Sequence, residues 1–346
     1  MDILGIDIGF GFTKATNGRD TLIYKSVFGE AKELQFQEQI LAGSAAQEHL
    51  QIEVDGASFF VGELAERQSD VRFFTLDQDQ FVTQFAKTLA LAAAARLAGS
   101  HIPVNLVTGL PIGHYRRHKN DLAKILQGNH AIALIDENGQ RQEKTININK
   151  VRVIPQPFGS LFNLMLNDLG ELGDKRLVHE KIGVIDVGFR TSDYTVSDKM
   201  RYSERGSRTT DSGISRAFNV IAGKIREKSG VNVELYRLYN AVETGSIKIR
   251  GQEYELTNLV DQVFKQLANT VASEVDRLWA DDWDIDAIVI TGGGGAVLAK
   301  YLQPLIHGQL LQSDVMLEDS RLNNVAGYWK FGKHLWARGL GAVVAS

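Results

Sequence analysis

One short motif occurs twice in the sequence, first as Ile6-Asp7-Ile8-Gly9-Phe10 and again as Ile185-Asp186-Val187-Gly188-Phe189. The two aspartates are 179 residues apart, which is about half of the 346-residue chain. In each copy an apolar run ends in a carboxylate and a glycine, and a polar segment with strand-forming residues follows. This order predicts a β-hairpin. Two such hairpins at half-length spacing predict a duplicated fold whose halves face each other across a ligand.

The composition is that of an ordinary globular protein with two domains or lobes. Hydrophobic residues make up 44% of the chain, charged residues 23%, and the net charge is −4. This balance argues against a nucleic-acid-coating or membrane-surface protein, so we expect no direct nucleic-acid partner and no membrane partner. Cysteine is absent, which excludes disulfides, thiolate metal sites and cysteine nucleophiles. We expect a cytoplasmic protein with no leader and no membrane span.

Strand and helix patterns alternate along the chain. Helical periodicity is predicted over about 77–98, 114–126, 159–169, 212–229 and 258–280. Buried strands are predicted at 104–108 and 286–291, with two further strands at 130–154. A helix is predicted to begin at Ala296, directly after the four glycines at 292–295. This alternation indicates α/β architecture.

The two hairpins have the chemistry of a phosphate site. Successive backbone N–H groups of a glycine-bearing turn can converge on an anion. Asp7 and Asp186 stand at strand ends, where one or two carboxylates can hold Mg²⁺ together with phosphate oxygens. Lys14 on the first return strand could reach a β- or γ-phosphate. The alternative is a pair of ordinary hairpins with turn aspartates.

Two further segments fit a nucleotide. Thr291 is followed by four glycines, Gly292–Gly295, and then by a helix, an order that lets backbone approach a ligand closely. The alternative is a tight strand–helix turn; neither the dinucleotide fingerprint nor a P-loop is present. Gln156 lies between two prolines just before a predicted helix, where an amide can orient a water against a phosphate but accepts a proton poorly. The alternative is a loop glutamine bonded to backbone. No paired histidine motif supports a transition-metal site.

In this order, these four pieces resemble the signature of the actin, heat-shock 70 chaperone and sugar-kinase superfamily. The hairpins resemble its phosphate-1 and phosphate-2 loops, the glycine cluster its adenosine loop, and the Gln156 segment its first interdomain connection. Residues 338–342 resemble the second connecting helix. Within the superfamily the chain is most similar to plasmid-segregation proteins of the ParM/StbA type and to archaeal actin-like proteins. The segments that carry this closer match are Phe60–Ala65, Val107–Pro111, Arg208–Gly213 and Asn324–Tyr328.

The resemblance implies a duplicated actin-like (ribonuclease H-like) two-lobed fold with a nucleotide cleft between the lobes. It implies lobe I at 1–157, joined by a C-terminal helix at about 330–346, and lobe II at 158–329. The implied cofactors are ATP (or GTP) and Mg²⁺, with Asp7 and Asp186 at the metal. The nucleotide-binding residues implied are Gly9, Phe10, Gly11, Thr13, Lys14, Gly188, Phe189, Arg190, Thr191, Glu243, Gly292, Gly293 and Gly294. Gln156 would place the attacking water and Asp186 would assist through the metal's hydration shell.

The resemblance further implies an ATPase that polymerises into filaments for plasmid segregation or cytoskeletal positioning, with itself and a DNA-bound adaptor as partners. A small-molecule kinase and a non-polymerising nucleotide-dependent scaffold are the alternatives. Two departures affect these expectations. Phe189 and Arg190 occupy the stretch where many relatives have a further glycine, and Arg190 could reach a phosphate, a neighbouring subunit or water. Gln156 stands where ParM relatives can have Glu, which implies slow hydrolysis.

Overall fold

The computed structural model describes residues 2–33, 50–308, 310–312 and 320–337. The chain forms two compact units: unit 1 comprises Met1–Gly173 and Asn324–Ser346, and unit 2 comprises Asp174–Asn323. Within the described ranges, no helix combines the length and the apolar character that crossing a membrane requires.

Unit 1 is built on a ten-stranded mixed sheet flanked by helices. Its strands are β1 (Asp2–Ile8), β2 (Phe12–Thr16), β3 (Thr21–Lys25), β4 (Phe28–Glu30), β5 (Gln51–Val54), β6 (Ala57–Val61), β7 (Arg72–Phe73), β8 (Pro103–Leu110), β9 (Gly128–Ile135) and β10 (Arg141–Pro155). Its helices are α1 (Glu63–Gln68), α2 (Gln78–Gln80), α3 (Ala86–Leu97), α4 (Ile112–Leu126), α5 (Phe158–Met165) and α10 (Asn323–Ala337, the first residue of which belongs to unit 2). The strand order is β3-β2-β1-β8-β10-β9-β5-β6-β4-β7.

Unit 2 contains a five-stranded sheet of order β13-β12-β11-β16-β17 and a separate two-stranded sheet, β14-β15. Its strands are β11 (Lys181–Val187), β12 (Ser192–Asp198), β13 (Arg201–Thr210), β14 (Ser246–Ile249), β15 (Gln252–Glu255), β16 (Ala287–Thr291) and β17 (Leu310–Gln312). Its helices are α6 (Ser215–Ser229), α7 (Tyr239–Thr244), α8 (Thr257–Leu278) and α9 (Gly293–Leu302). The predicted α/β class is therefore confirmed.

The repeat in the sequence is also a repeat of topology. Strand β1 is antiparallel to β2, which follows it, and parallel to the inner strand β8. Strand β11 is antiparallel to β12 and parallel to the inner strand β16. Each copy of the motif therefore ends a central strand at the edge where the parallel strands also end. Side chains and turns at this edge can act together on one ligand.

The predicted helix at 77–98 is interrupted. Asp77 caps a short turn, the backbone leaves helical geometry at Val82 and Thr83, and α3 begins at Ala86. The interruption accompanies the burial of two aromatic side chains: Phe81 packs on Phe10, and Phe85 packs on Phe28. Packing against the sheet thus outweighs the helical propensity of this segment.

The compact units differ in extent from the lobes expected from the sequence. Residues 158–173 lie in unit 1, because α5 packs on α10: Phe162 stacks on Phe331 with ring centroids 4.4 Å apart. Unit 1 likewise takes in Asn324, whose side-chain oxygen accepts hydrogen bonds from the backbone and the hydroxyl of Ser160. The segment that resembles the second connecting helix, 338–342, lies outside the described residues.

Candidate functional site

The first hairpin has a fixed loop. The N–H of Gly9 donates to the carbonyl of Phe12 at 3.0 Å and closes the turn. Ser26 binds the loop from the neighbouring segment: its N–H donates to the carbonyl of Gly11 at 2.9 Å, its hydroxyl donates to the carbonyl of Gly9, and the buried Thr13 hydroxyl lies 2.9 Å from that hydroxyl. Ser26 thus holds two of the loop carbonyls, those of Gly9 and Gly11.

Asp7 is a buried carboxylate with two side-chain partners. It lies one residue before the end of β1, directly opposite Lys14 on β2, and is only 1% exposed. The ammonium of Lys14 lies 2.9 Å from its Oδ2, and the amide nitrogen of Gln156 donates to its Oδ1 at 3.0 Å. Three residues that the sequence placed at the phosphate site therefore form one network.

The orientation of Gln156 follows from this network. Its backbone N–H donates to the carbonyl of Leu110 at 2.8 Å, and the hydroxyl of the buried Tyr328 lies 3.4 Å from its carbonyl oxygen. An ionised carboxylate only accepts hydrogen bonds, so the amide NH₂ must face Asp7. The amide oxygen of Gln156 is thereby directed away from Asp7, where it can accept a hydrogen bond from water.

The second hairpin repeats the turn of the first. The N–H of Gly188 donates to the carbonyl of Thr191 at 2.9 Å, which is the same bond that Gly9 makes to Phe12. The loop is again held by carbonyl contacts: Gly213 donates to Arg190 at 3.2 Å, and Ile214 donates to Gly188 at 3.1 Å.

Glycine is required beside Asp186. Asp186 is 3% exposed and lies one residue before the end of β11, beside Thr291 of β16. Gly292 has φ +86°, and a Cβ at that position would overlap Oδ1 of Asp186 and the carbonyl oxygen of Val187. A Cβ at Gly294 would crowd side chains of Val187 and Ile214. The glycine cluster therefore lies against the second hairpin, and α9 starts within it at Gly293 and not at Ala296 as predicted.

Asp193 is a site residue that the sequence analysis missed. It lies directly opposite Asp186 in the β11–β12 ladder, is 2% exposed, and accepts hydrogen bonds from Thr191 and Thr209. In the first hairpin the corresponding position, 179 residues earlier, is Lys14. The constant offset between the two motifs was the signal that could have identified it.

The aromatic residues of the two loops point into the cores. The ring of Phe10 packs on Phe81 at 4.7 Å, and the ring of Phe189 packs on Phe218 and Tyr239 at 5.6 and 5.4 Å. A nucleotide could therefore contact Phe10 or Phe189 only through their backbone atoms. Arg190, for which three roles were open, forms an ion pair of 2.7 Å with Asp211.

Glu243 is exposed on α7. Arg321 was not predicted and lies over Gly293: a Cβ on that glycine would be 3.4 Å from its Cγ. Burial raises the pKa of Tyr239 well above its ordinary value, and the nearby charge of Arg321 partly opposes this. No local motif marks Arg321 in the sequence, since folding alone brings it to the glycines.

Two family models match the chain. Residues 5–159 match the N-terminal domain of actin-like proteins, and residues 184–304 match the C-terminal domain of the archaeal actin homologue, MreB-like. A search of curated proteins gave no match.

Several solved structures are similar over nearly the whole chain. A non-polymerisable quadruple mutant of pCBH ParM is 26% identical, with 96% of this chain and 99% of that chain covered and a TM-score of 0.78. A 15-stranded ParM filament from Clostridium botulinum is 24% identical over the same shares, with a TM-score of 0.81. The archaeal actin homologue Ta0583 in complex with ADP is 18% identical over the same shares, with a TM-score of 0.77. The predicted actin-like fold is confirmed by these similarities.

Proposed function

Because the chain belongs to the actin-like proteins, we propose that it binds ATP (or GTP) with Mg²⁺, hydrolyses it slowly and assembles into filaments. One structure similar to this chain is a ParM filament, and another is a complex with ADP. The proposal extends to a cytoplasmic role in segregating DNA such as a plasmid or in cytoskeletal positioning, through a DNA-bound adaptor.

The observation that carries the proposal is the paired carboxylate hairpin. Each unit has a buried aspartate, Asp7 or Asp186, as the last residue but one of a central strand, and the chain continues into a turn closed by the same glycine N–H bond. Within the described residues there is no cluster of three His, Asp or Glu side chains that could hold a metal ion alone. Mg²⁺ is usually bound by one or two carboxylates together with phosphate oxygens. The two aspartates therefore fit a Mg-nucleotide.

The residues divide the chemistry in the proposal. The turn N–H groups of both hairpins and the ammonium of Lys14 bind phosphate oxygens. When bound through Asp7 and Asp186, Mg²⁺ would neutralise charge on the phosphates. The amide oxygen of Gln156 orients a water for attack. Since an amide is a poor proton acceptor, we propose that turnover is slow.

The glycine cluster and Arg321 supply the nucleoside side of the proposal. Gly292 and Gly294 lie tightly against the second hairpin, where a Cβ would overlap protein atoms, and the stem of Arg321 lies over Gly293. Backbone at a glycine-rich helix start can approach a ribose or a base closely. Glu243 is proposed for the ribose hydroxyls on the resemblance alone.

Sedimentation and light scattering of the purified protein with ATP or GTP and Mg²⁺, together with phosphate release, test the proposal. We expect nucleotide-dependent pelleting and slow release of phosphate. In Asp186→Ala we expect a folded protein with impaired Mg-nucleotide turnover, and full activity would refute its role. Nucleotide binding without polymer or phosphate release would instead identify a scaffold, and the absence of polymer at high protein concentration would contradict the filament.

A further inference from the structure

Unit 2 presents an unusually exposed tryptophan. Trp283 is 88% exposed, whereas Trp279, four residues earlier, is buried. Single exposed apolar residues are common, but tryptophan is among the residues that dominate the energetics of protein interfaces. We call residues 279–286 the Trp283 loop.

The Trp283 loop is held rigidly by ion pairs. The buried carboxylate of Asp282 binds Lys181 at 2.8 Å and Arg205 at 2.6 Å, and Asp284 binds Lys181 as well. Asp286 accepts a further hydrogen bond from the backbone N–H of Lys181 at 2.8 Å. A side chain presented on a loop that is already ordered loses little conformational entropy on binding. Rigidity therefore makes Trp283 an efficient anchor for a partner.

The loop is also acidic. Aspartates stand at 281, 282, 284 and 286, and the two cations that contact them, Lys181 and Arg205, neutralise only part of this charge. The side chain of Asp281 is 88% exposed. A complementary surface must therefore combine a recess for an indole with a surplus of positive charge.

Unit 1 has such a recess, which we call the Lys124 cavity. It has a volume of about 920 Å³. Part of its wall is apolar, from Val54 of β5, Ile125 of α4 and Ile132 of β9. A recess with an apolar part can receive the ring of a large aromatic residue.

Histidines apart, the side chains that line the cavity have one more cationic group than carboxylates, four against three. Its three carboxylates are paired internally: Asp55 with Lys87, and both Glu53 and Glu143 with Arg141. Among the residues that the structure describes, Lys124 and Lys144 have no carboxylate partner. Lys144 donates to the carbonyl of Ala95 at 2.9 Å, and burial, with Arg96 nearby, lowers its pKa. An incoming carboxylate would relieve this unfavourable environment.

We propose that the Trp283 loop of one copy of this chain docks into the Lys124 cavity of a second copy, with Asp281 facing Lys124 and Lys144. This inference rests on the self-association in the proposed function. Because the loop and the cavity are different surfaces, each contact leaves one loop and one cavity available for another copy. Such a heterologous contact produces an open head-to-tail assembly unless the rotation closes a ring.

The absence of cysteine allows a direct test by site-specific crosslinking. Two single-cysteine variants, Ala280→Cys in the loop and Asn129→Cys in the cavity, are mixed at equal concentration and treated with a short bismaleimide. Both positions are exposed, and Trp283, Asp281 and the lysines stay in place. We expect covalent dimers to form at least about tenfold faster than when Ala280→Cys is mixed with Leu169→Cys, a control position in unit 1 that is 68% exposed. Equal rates would overturn the inference, and they are the result expected if the loop instead binds an adaptor protein.

A second measurement concerns the indole itself. Trp283→Ser should raise the critical concentration for pelleting at least about tenfold, since truncating a hot-spot residue has effects of this size. Leu169→Ser, the matched exposed control, should leave it unchanged. Nucleotide binding, measured separately, should be equal in all three proteins. If the wild type forms no polymer, the proposed function fails, and the crosslinking still decides the contact. If Trp283→Ser pellets at the same critical concentration as the wild type, the inference is overturned.

Discussion

At the scale of single residues, Gln156 carries the most chemical consequence. Its amide nitrogen is bound to Asp7 at 3.0 Å and its backbone N–H to Leu110, so the side chain has one orientation. An oriented amide oxygen can hold a water in line for attack without taking its proton. Position therefore matters more than basicity for this residue.

Replacing Gln156 should separate turnover from binding. In Gln156→Ala we expect phosphate release to fall by about tenfold to hundredfold, while nucleotide affinity changes by less than about threefold, because the water is held only on the way to the transition state. Single-turnover phosphate release and equilibrium nucleotide binding measure the two quantities. Gln140→Ala, in the exposed turn after β9, is the matched control and should change neither. An unchanged turnover in Gln156→Ala would remove Gln156 from the mechanism.

The close contact between Gly292 and the carboxylate of Asp186 can be tested by adding a side chain at Gly292. In Gly292→Ala the new Cβ would overlap Oδ1 of Asp186 in a backbone conformation with φ +86°. We expect a loss of at least about 2 kcal/mol in the free energy of unfolding. Gly223→Ala in α6 meets no atom within 4 Å and should stabilise by about 0.5–1 kcal/mol. Urea unfolding compares the two, and equal effects would mean that the contact of Gly292 with Asp186 is wrong.

The sequence predicted Asp7, Lys14 and Gln156 at a phosphate site, but it could not show that they bind one another. The contact of Asp7 with Lys14 depends on strand register. Its contact with Gln156 depends on where the chain leaves β10, 149 residues further along. Arg321 was missed for the same reason, since no local pattern relates it to Gly293. Residue type and spacing indicate chemistry, whereas partners follow from tertiary folding.

At the scale of elements, the crossing of α5 and α10 holds the Gln156 segment. Gly159 and Gly327 lie in contact, and a Cβ on Gly327 would overlap the carbonyl of Gly159. The close approach allows Phe162 and Phe331 to stack nearly parallel, and Tyr328 to reach the carbonyl of Gln156. The two helices are thus joined through backbone contact as well as through side chains.

Separating these helices should weaken the fold and the site together. We expect Gly327→Ala to lower the free energy of unfolding by about 1–3 kcal/mol, because overpacking forces the helices apart, and also to slow phosphate release. Gly173→Ala, whose nearest atoms would be 3.6 Å away, is the control from the same unit and should have little effect on either. Urea unfolding and phosphate release are the measurements. Normal stability in Gly327→Ala would contradict the close helix crossing.

The sequence predicted elements better than their ends. The predicted strands at 104–108 and 286–291 are present as β8 and β16. The helix predicted at 77–98 is interrupted at Val82 and Thr83, because aromatic packing decides the backbone there. Helix α9 includes glycines that propensity assigns to a turn, and at Gly294 a Cβ would crowd the side chains of Val187 and Ile214. Both differences arise from packing that the local pattern does not contain.

At the scale of the whole molecule, the duplication conserves topology and varies chemistry. Both units have the hairpin, the buried aspartate and the parallel inner strand. The residue opposite the aspartate differs: it is Lys14 in unit 1 and Asp193 in unit 2. One hairpin therefore brings a cation beside its carboxylate and the other brings a second carboxylate, which suits phosphate binding at the first and cation binding at the second.

Buried tyrosines in both units predict how stability depends on pH. Burial raises the pKa of Tyr24 in unit 1 and of Tyr194 and Tyr239 in unit 2. In the unfolded chain a tyrosine ionises near pH 10. Above that pH the unfolded state binds fewer protons than the folded state, so stability is fully present below about pH 10 and falls as pH rises towards the folded pKa.

The slope of this alkaline loss can be assigned to one residue. In Tyr24→Phe we expect the fall in the free energy of unfolding above pH 10 to be shallower than in the wild type by up to about 1.4 kcal/mol per pH unit, since one proton fewer is linked to unfolding. Urea unfolding from pH 8 to pH 11 measures the slopes. Tyr202→Phe, at an exposed position, is the matched control and should keep the wild-type slope. Parallel curves for Tyr24→Phe and the wild type would show that Tyr24 ionises in the folded protein as readily as in the unfolded chain.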